Sequence, residues 1–193
     1  MTNATPFEDS ALKAFGSLQH EYGYKCMKRN HTEIVFESGA GRVRVTYYAH
    51  RYELDLSVCL KATQKAEEVC FNSDRLATLG LLSRDAHARL FASEPAMPVA
   101  LEMLAHDIAT HCRDLLLGKR DAFAQAEEVI RVKDMEDQEK RLADDARRQA
   151  LEAFEQEKWQ AVISSYEACG QALSPVEQKR LDIARKRANI SRH

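Results

Sequence analysis

The spacing of apolar residues changes twice along the chain. Phe7, Ala11, Leu12, Phe15, Leu18 and Tyr22 recur at steps of three and four, the signature of one face of an amphipathic helix. Gly23 stands where that helix should stop. The step then becomes two. "HTEIVFES", "GRVRVTYY" and "RYELDLSVCL" alternate apolar and polar side chains, which predicts antiparallel strands with one buried and one wet face. Beyond residue 92 the step returns to three and four, with apolar residues almost vanishing between Lys133 and Arg148.

Turn residues propose a register for the strands. With Gly39-Ala40 as a two-residue loop, Phe36 faces Val43, Ile34 faces Val45 and Glu37 faces Arg42. With Ala49-His50 as the next, Tyr47 faces Tyr52, Val45 faces Leu54, Val43 faces Leu56 and Arg44 faces Asp55. A one-residue slip in either hairpin would bury charge. "EYGYKCMK" predicts a strand before these, entered through a turn near Asn30, and "EEVCF" one after. The opposite face then carries Glu33, Glu37, Arg42, Arg44, Thr46, Tyr48, Glu53 and Asp55. Its cross-strand ion pairs are each worth a fraction of a kcal/mol, about 0.2–1.

The remainder reads as helical. Ser73 is a candidate cap for "DRLATLGLL", and Ser93-Glu94-Pro95 is a helix start. Met97, Leu101, Leu104, Ile108, Cys112 and Leu115 form one stripe ended by Gly118, and Asp121 is a candidate cap for the next helix. From Lys133 to Arg148, "KDMEDQEKRLADDARR" has few apolar residues, interleaved charge and neither Pro nor Gly. Such a stretch predicts an exposed helix supported by ion pairs. Ala150, Ala153 and Phe154 then share a stripe, followed by Trp159, Val162, Ile163, Tyr166 and Cys169. Ser174-Pro175 starts a last helix, "VEQKRLDIARKR".

Residues 150–175 resemble one tetratricopeptide hairpin in their small residues, aromatics and closing proline. Glu157 stands where a glycine is usual at the bend, and Val162 replaces the usual alanine. No second copy occurs, and a solenoid needs about three, so the pattern predicts a single helical hairpin. The whole arrangement is a leading helix, a meander ending in a "YELDL" strand, a helical stretch and the tail "LSPVEQKRLDIARKR". It resembles a group of bacterial proteins of the immunity-protein type. That resemblance implies a bacterial cytoplasmic protein whose work is binding, with no catalytic residues.

Composition narrows the classes. At 193 residues with 45% hydrophobic and 30% charged residues, the chain has the balance of a folded protein. A formal net charge of −2 supplies no global field for nucleic acid or anionic membrane. The basic tail (Lys179, Arg180, Arg185, Lys186, Arg187, Arg192) lacks interleaved aromatics for stacking bases. The most apolar stretch, residues 99–117, contains Glu102, His106, Asp107, His111, Arg113 and Asp114, which excludes an ordinary membrane span. No targeting segment is visible at the N-terminus. Five cysteines (Cys26, Cys59, Cys70, Cys112 and Cys169) lie at irregular spacing and suggest reduced thiols.

Chemistry-bearing motifs are few. In "HDIATHC", His106 and His111 are five apart and point about 140° away from each other on a helix, so one metal does not take both. Asp85 and His87 are two apart and do not orient each other. "SGAGR" links two strands and opens no helix, so it is a hairpin turn rather than a phosphate cradle.

The expectation is therefore an α+β protein with an N-terminal helix on an antiparallel meander of four or five strands (residues 1–92). A helical C-terminal half with the hairpin follows (93–193). The expected function is non-enzymatic binding of a protein, a cognate toxin occluded by an immunity protein. The candidate contacts are Arg42, Arg44, Tyr48, Glu53 and Asp55, with no cofactor and no metal. A secretion chaperone or adaptor, or an enzyme with a site assembled from scattered residues, are the competing readings.

Overall fold

The structure, a computed structural model, describes residues 6–62, 67–85 and 94–190. His87, Ser93 and Arg192, which the sequence singles out, lie outside the described residues. No described helix is long and apolar enough to cross a membrane.

The leading apolar stripe forms two helices rather than one, α1 (Pro6–Ala14) and α2 (Gly16–Tyr22). Phe15, at φ −91° and ψ 17°, leaves helical geometry between them, yet Phe7, Ala11, Phe15 and Leu18 stay on one buried face. Gly23 ends α2 at φ 70°. The Tyr24 N–H then donates to the Leu18 carbonyl at 3.0 Å, a left-handed closure that glycine adopts without Cβ strain.

Five antiparallel strands follow in chain order: β1 (Lys25–Asn30), β2 (Glu33–Glu37), β3 (Gly41–Tyr48), β4 (Glu53–Leu60) and β5 (Val69–Asn72). The expected α+β meander is the observed one. The β2–β3 register is also as expected, with Phe36 opposite Val43, Ile34 opposite Val45 and Glu37 opposite Arg42. The β3–β4 register is not. Tyr47 faces Leu54, Val45 faces Leu56, Val43 faces Val58 and Arg44 faces Ser57, a displacement of two residues. The loop is Ala49-His50-Arg51-Tyr52, closed by Arg51 N–H donating to the Tyr48 carbonyl at 2.9 Å. A two-residue loop would force Ala49 to positive φ. The longer loop asks this only of Tyr52, at φ 52°. Parity is unchanged by a shift of two, so the same faces stay buried.

Helices close one face of the sheet. They are α3 (Ser73–Thr78), α4 (Met97–His111), α5 (Arg113–Leu116) and the first part of α6 (Arg120–Glu155), together with α1 and α2. Ile34, Phe36, Val43, Val45, Leu54, Leu56, Val58 and Phe71 from the strands share one core with Leu76, Leu101, Leu104, Ile108, Leu116 and Phe123. Ring contacts tie the layers: Phe7 on Tyr47 at 5.7 Å, Phe15 on Phe36 at 6.1 Å and Phe71 on Phe123 at 5.4 Å. Each buried side chain of this size contributes about 1.5–3 kcal/mol against exposure.

Caps differ from expectation in two places. The N-cap of α3 is Asn72, whose Oδ1 accepts from Arg75 N–H at 3.1 Å; Ser73 is the next residue and turns inward. Asp121 lies inside the first turn of α6 rather than before it, where a carboxylate still complements the helix dipole. The stripe from Met97 to Leu115 is interrupted at Cys112, between α4 and α5.

The chain divides between Ile130 and Arg131 into two compact units. Residues 92 and 93, where the sequence puts a boundary, lie outside the described residues; by packing, α4, α5 and the start of α6 belong with the sheet. In the second unit, Ala143, Ala146, Ala150 and Ala153 of α6 are buried, whereas residues 131–142 are exposed throughout. α7 (Trp159–Ala168) and α8 (Pro175–Ile190) complete this unit. Val162, Tyr166, Leu181 and Ala184 pack on Ala150 and Ala153. Small residues on α6 allow this close approach. Phe154 and Trp159 meet edge to face at 5.7 Å. At the bend Glu157 adopts φ 56°, the conformation for which glycine is the usual choice.

Candidate functional site

The uncovered face of the sheet is built row by row from the register. One row runs Lys25, Glu37, Arg42, Cys59, Cys70 across all five strands. The next runs Lys28, Val35, Arg44, Ser57, Asn72, and a third Asn30, Glu33, Thr46, Asp55. Tyr48 faces Glu53 beyond them. Alternation alone places these side chains together, because every second residue of a strand points the same way.

All five expected contact residues lie on this face, and most are already engaged. Arg42 Nε donates to Glu37 Oε1 at 2.8 Å, and its NH1 lies 3.3 Å from Glu68 Oε1. The Glu37 hydrogen bond raises the Arg42 pKa above its ordinary value. Arg44 pairs with Glu33 at 3.2 Å, and Glu33 is also paired with Lys28. Glu53 meets Arg51 at 3.9 Å. Asp55 accepts a hydrogen bond from the Ser73 hydroxyl at 3.0 Å. Tyr48 is different. It is 41% exposed, and it has an edge contact with His50 at 6.4 Å. Val35, between Lys28 and Arg44, is only 7% exposed, as expected where the alkyl stems of long charged side chains cover an apolar neighbour. The face is thus an ordered lattice of alternating charge with one protruding aromatic ring.

At the β5 edge the thiol expectation is overturned. Cys59 and Cys70, direct partners across β4 and β5, form a disulfide. Cys26, Cys112 and Cys169 are free. Scattered spacing suggested reduced thiols, but two cysteines eleven apart meet when a loop folds the strands together. The Cys59 and Cys70 sulfurs and a Glu68 carboxylate oxygen lie within 4.8 Å of one another. Three such donors can hold a soft divalent cation only when the sulfurs are thiolates; in the disulfide they are bonded to each other. In this row the Cys59–Cys70 bond is the feature that the sequence does not announce. The available signal was that "SVCL" puts Cys59 in phase with Asp55, on the charged face.

The other motifs have structural roles or stand apart. Asp107 is buried and accepts the Ser83 N–H at 2.7 Å. Cys112 is buried, and desolvation followed by the nearby Asp107 charge pushes its thiol up to about 12, which makes it inert as a nucleophile. His106 and His111 are both exposed. His111 borders a cleft lined by Leu79, Leu81, Leu115 and Val129, where Asp114 is held by Lys119 at 2.8 Å. "SGAGR" is the β2–β3 turn, with Ser38 N–H donating to the Gly41 carbonyl at 2.9 Å.

No protein-family model, curated protein or solved structure matches the chain.

Proposed function

We propose that this chain is a non-enzymatic protein-binding protein of the immunity, or antitoxin-like, kind, and that the charged sheet face occludes a cognate toxin. The observation that carries the reading is the asymmetry of the sheet. One face is closed by helices with aromatic contacts, while the other holds Tyr48 and ordered ion pairs in solvent. Such a face has the polar rim and aromatic anchor of a recognition surface. The internal pairs hold Arg42 and Arg44 in fixed geometry before contact, so little side-chain entropy is lost on docking.

The test is capture from the source bacterium by the tagged chain, followed by expression of the captured protein with and without this one. An immunity role requires that the captured protein be toxic alone and harmless in its company. Tyr48→Ala with Arg44→Ala is expected to weaken the complex about tenfold or more, the scale of losing a central aromatic anchor. Unchanged affinity in that double variant would sink the sheet-face reading, and a harmless captured protein would sink the immunity reading.

A further inference from the structure

We propose that the Cys59–Cys70 pair is a thiol–disulfide exchange site, with Cys70 the sulfur that meets incoming thiols and Cys59 the leaving and resolving sulfur. This goes beyond the docking role and does not depend on it.

Three observations carry the assignment. First, the pair lies on the charged face, at the end of the row that contains Glu37 and Arg42, rather than on the helix-covered face. Second, the two sulfurs differ in access: Cys59 is 5% exposed, whereas Cys70 is exposed. Third, Cys70 belongs to the four-residue strand β5, which ends the five-stranded order and has no partner on its outer side among the described residues. Because Cys70 is exposed, a nucleophile can reach it without opening the sheet. The nearby Glu68 carboxylate repels an incoming thiolate, and Arg42, which pairs with both Glu37 at 2.8 Å and Glu68 at 3.3 Å, offsets only part of that repulsion.

The chemistry balances with a low-molecular-weight thiol as reductant. Its thiolate attacks Cys70 Sγ. A bond forms between the two sulfurs, the Cys59–Cys70 bond breaks, and the electron pair leaves on Cys59 Sγ. A second thiolate attacks the small-molecule sulfur of the mixed disulfide, releasing Cys70 as thiolate and the reagent as its own disulfide. Both cysteine thiolates then take protons from water. Two electrons pass from two thiols to one disulfide. In reverse, Cys70 attacks a small disulfide and Cys59 displaces the adduct.

The experiment equilibrates the full chain in glutathione buffers from fully reduced to fully oxidised. Alkylation, intact mass and peptide mapping follow. The wild-type pair is expected to pass from joined to free across the series. Cys59→Ser is expected to collect one glutathione on Cys70, about tenfold faster than Cys70→Ser collects one on Cys59, because access governs mixed-disulfide formation. Mapping separates these adducts from any on Cys26. The inference is overturned by a pair that stays joined in the most reducing buffer or free in the most oxidising one. Equal rates of adduct formation on Cys59 and Cys70 overturn the assigned roles. The wild-type series needs no variant, so a substitution that prevents folding leaves the test intact.

Discussion

Ser73 shows how one hydroxyl can tie the start of a helix to a strand. Its Oγ accepts the Leu56 N–H at 2.8 Å and donates towards Asp55 Oδ1 at 3.0 Å and the Leu56 carbonyl at 3.2 Å. It is 3% exposed, at the junction of β5 and α3. Asp55 therefore has a structural partner as well as a place on the charged face. Ser73→Ala would leave the buried Leu56 N–H without this acceptor, and an unsatisfied buried donor costs about 1–3 kcal/mol. Urea unfolding should show the midpoint falling with an unchanged slope; a variant as stable as the parent would mean that water replaces the hydroxyl. From the sequence Ser73 looked like a helix cap. Serine is a good cap in general, but here Asn72 takes that position, and only the fold shows that the next residue is enclosed. The shared face of Arg42, Arg44, Tyr48, Glu53 and Asp55 was legible because alternation fixes which way a strand residue points. Their internal ion pairs were legible only where the register was, as at Glu37 and Arg42.

At the scale of elements, turn and cap chemistry decides what periodicity leaves open. A register displaced by two residues buries the same face of β4, so the apolar pattern cannot distinguish the two pairings of β3 with β4. The loop conformation chooses between them. The start of α8 is a case where local chemistry was readable in advance. Ser174 and Glu177 form a capping box: Ser174 N–H donates to Glu177 Oε2 at 2.7 Å, and Glu177 N–H donates to Ser174 Oγ at 3.3 Å, with Pro175 at the first helical position. The Ser174 backbone and side-chain hydrogen bonds, with Arg147 and Arg180 adding attraction, lower the Glu177 pKa from its ordinary value. Arg147 on α6 also reaches Glu177 at 3.2 Å. Because the folded pKa is lowered, this carboxylate's contribution is present above the unfolded glutamate pKa and is lost as pH falls through the folded value. Glu177→Gln should therefore destabilise the helical unit at neutral pH and flatten its acid-side loss of stability. Trp159 fluorescence across an acid titration reads this, since Trp159 packs on the cluster that contains Leu181 and Ala184 of α8. Parallel acid limbs for parent and variant would refute the assignment. Ser174→Ala should cost about 1 kcal/mol, the usual loss of an N-cap side chain.

At the scale of the whole molecule, the sequence suggests a boundary at 92/93, whereas packing places the unit boundary inside α6. The reason is physical. Periodicity reports the type of an element, but not which neighbour covers its apolar stripe, and the stripe of α4 is covered by the sheet core. The disulfide escaped for a related reason, since it joins β4 and β5 through a loop whose length alone does not set the pairing. Once formed, it closes a loop of sequence separation 11 within the first unit. In the chain-entropy account, such a closure stabilises by about 2–3 kcal/mol through the unfolded state. Reduction by a phosphine should lower the urea midpoint of the sheet unit accordingly. The readout can be assigned to that unit, because five of the six tyrosines (Tyr22, Tyr24, Tyr47, Tyr48 and Tyr52) precede the boundary and the single tryptophan follows it. The tyrosine near-ultraviolet signal is expected to shift to lower denaturant on reduction and to recover on reoxidation. A tyrosine midpoint indifferent to the redox state would mean that the β4–β5 ladder holds itself without the bond, leaving Cys59 and Cys70 no part in the stability of the sheet.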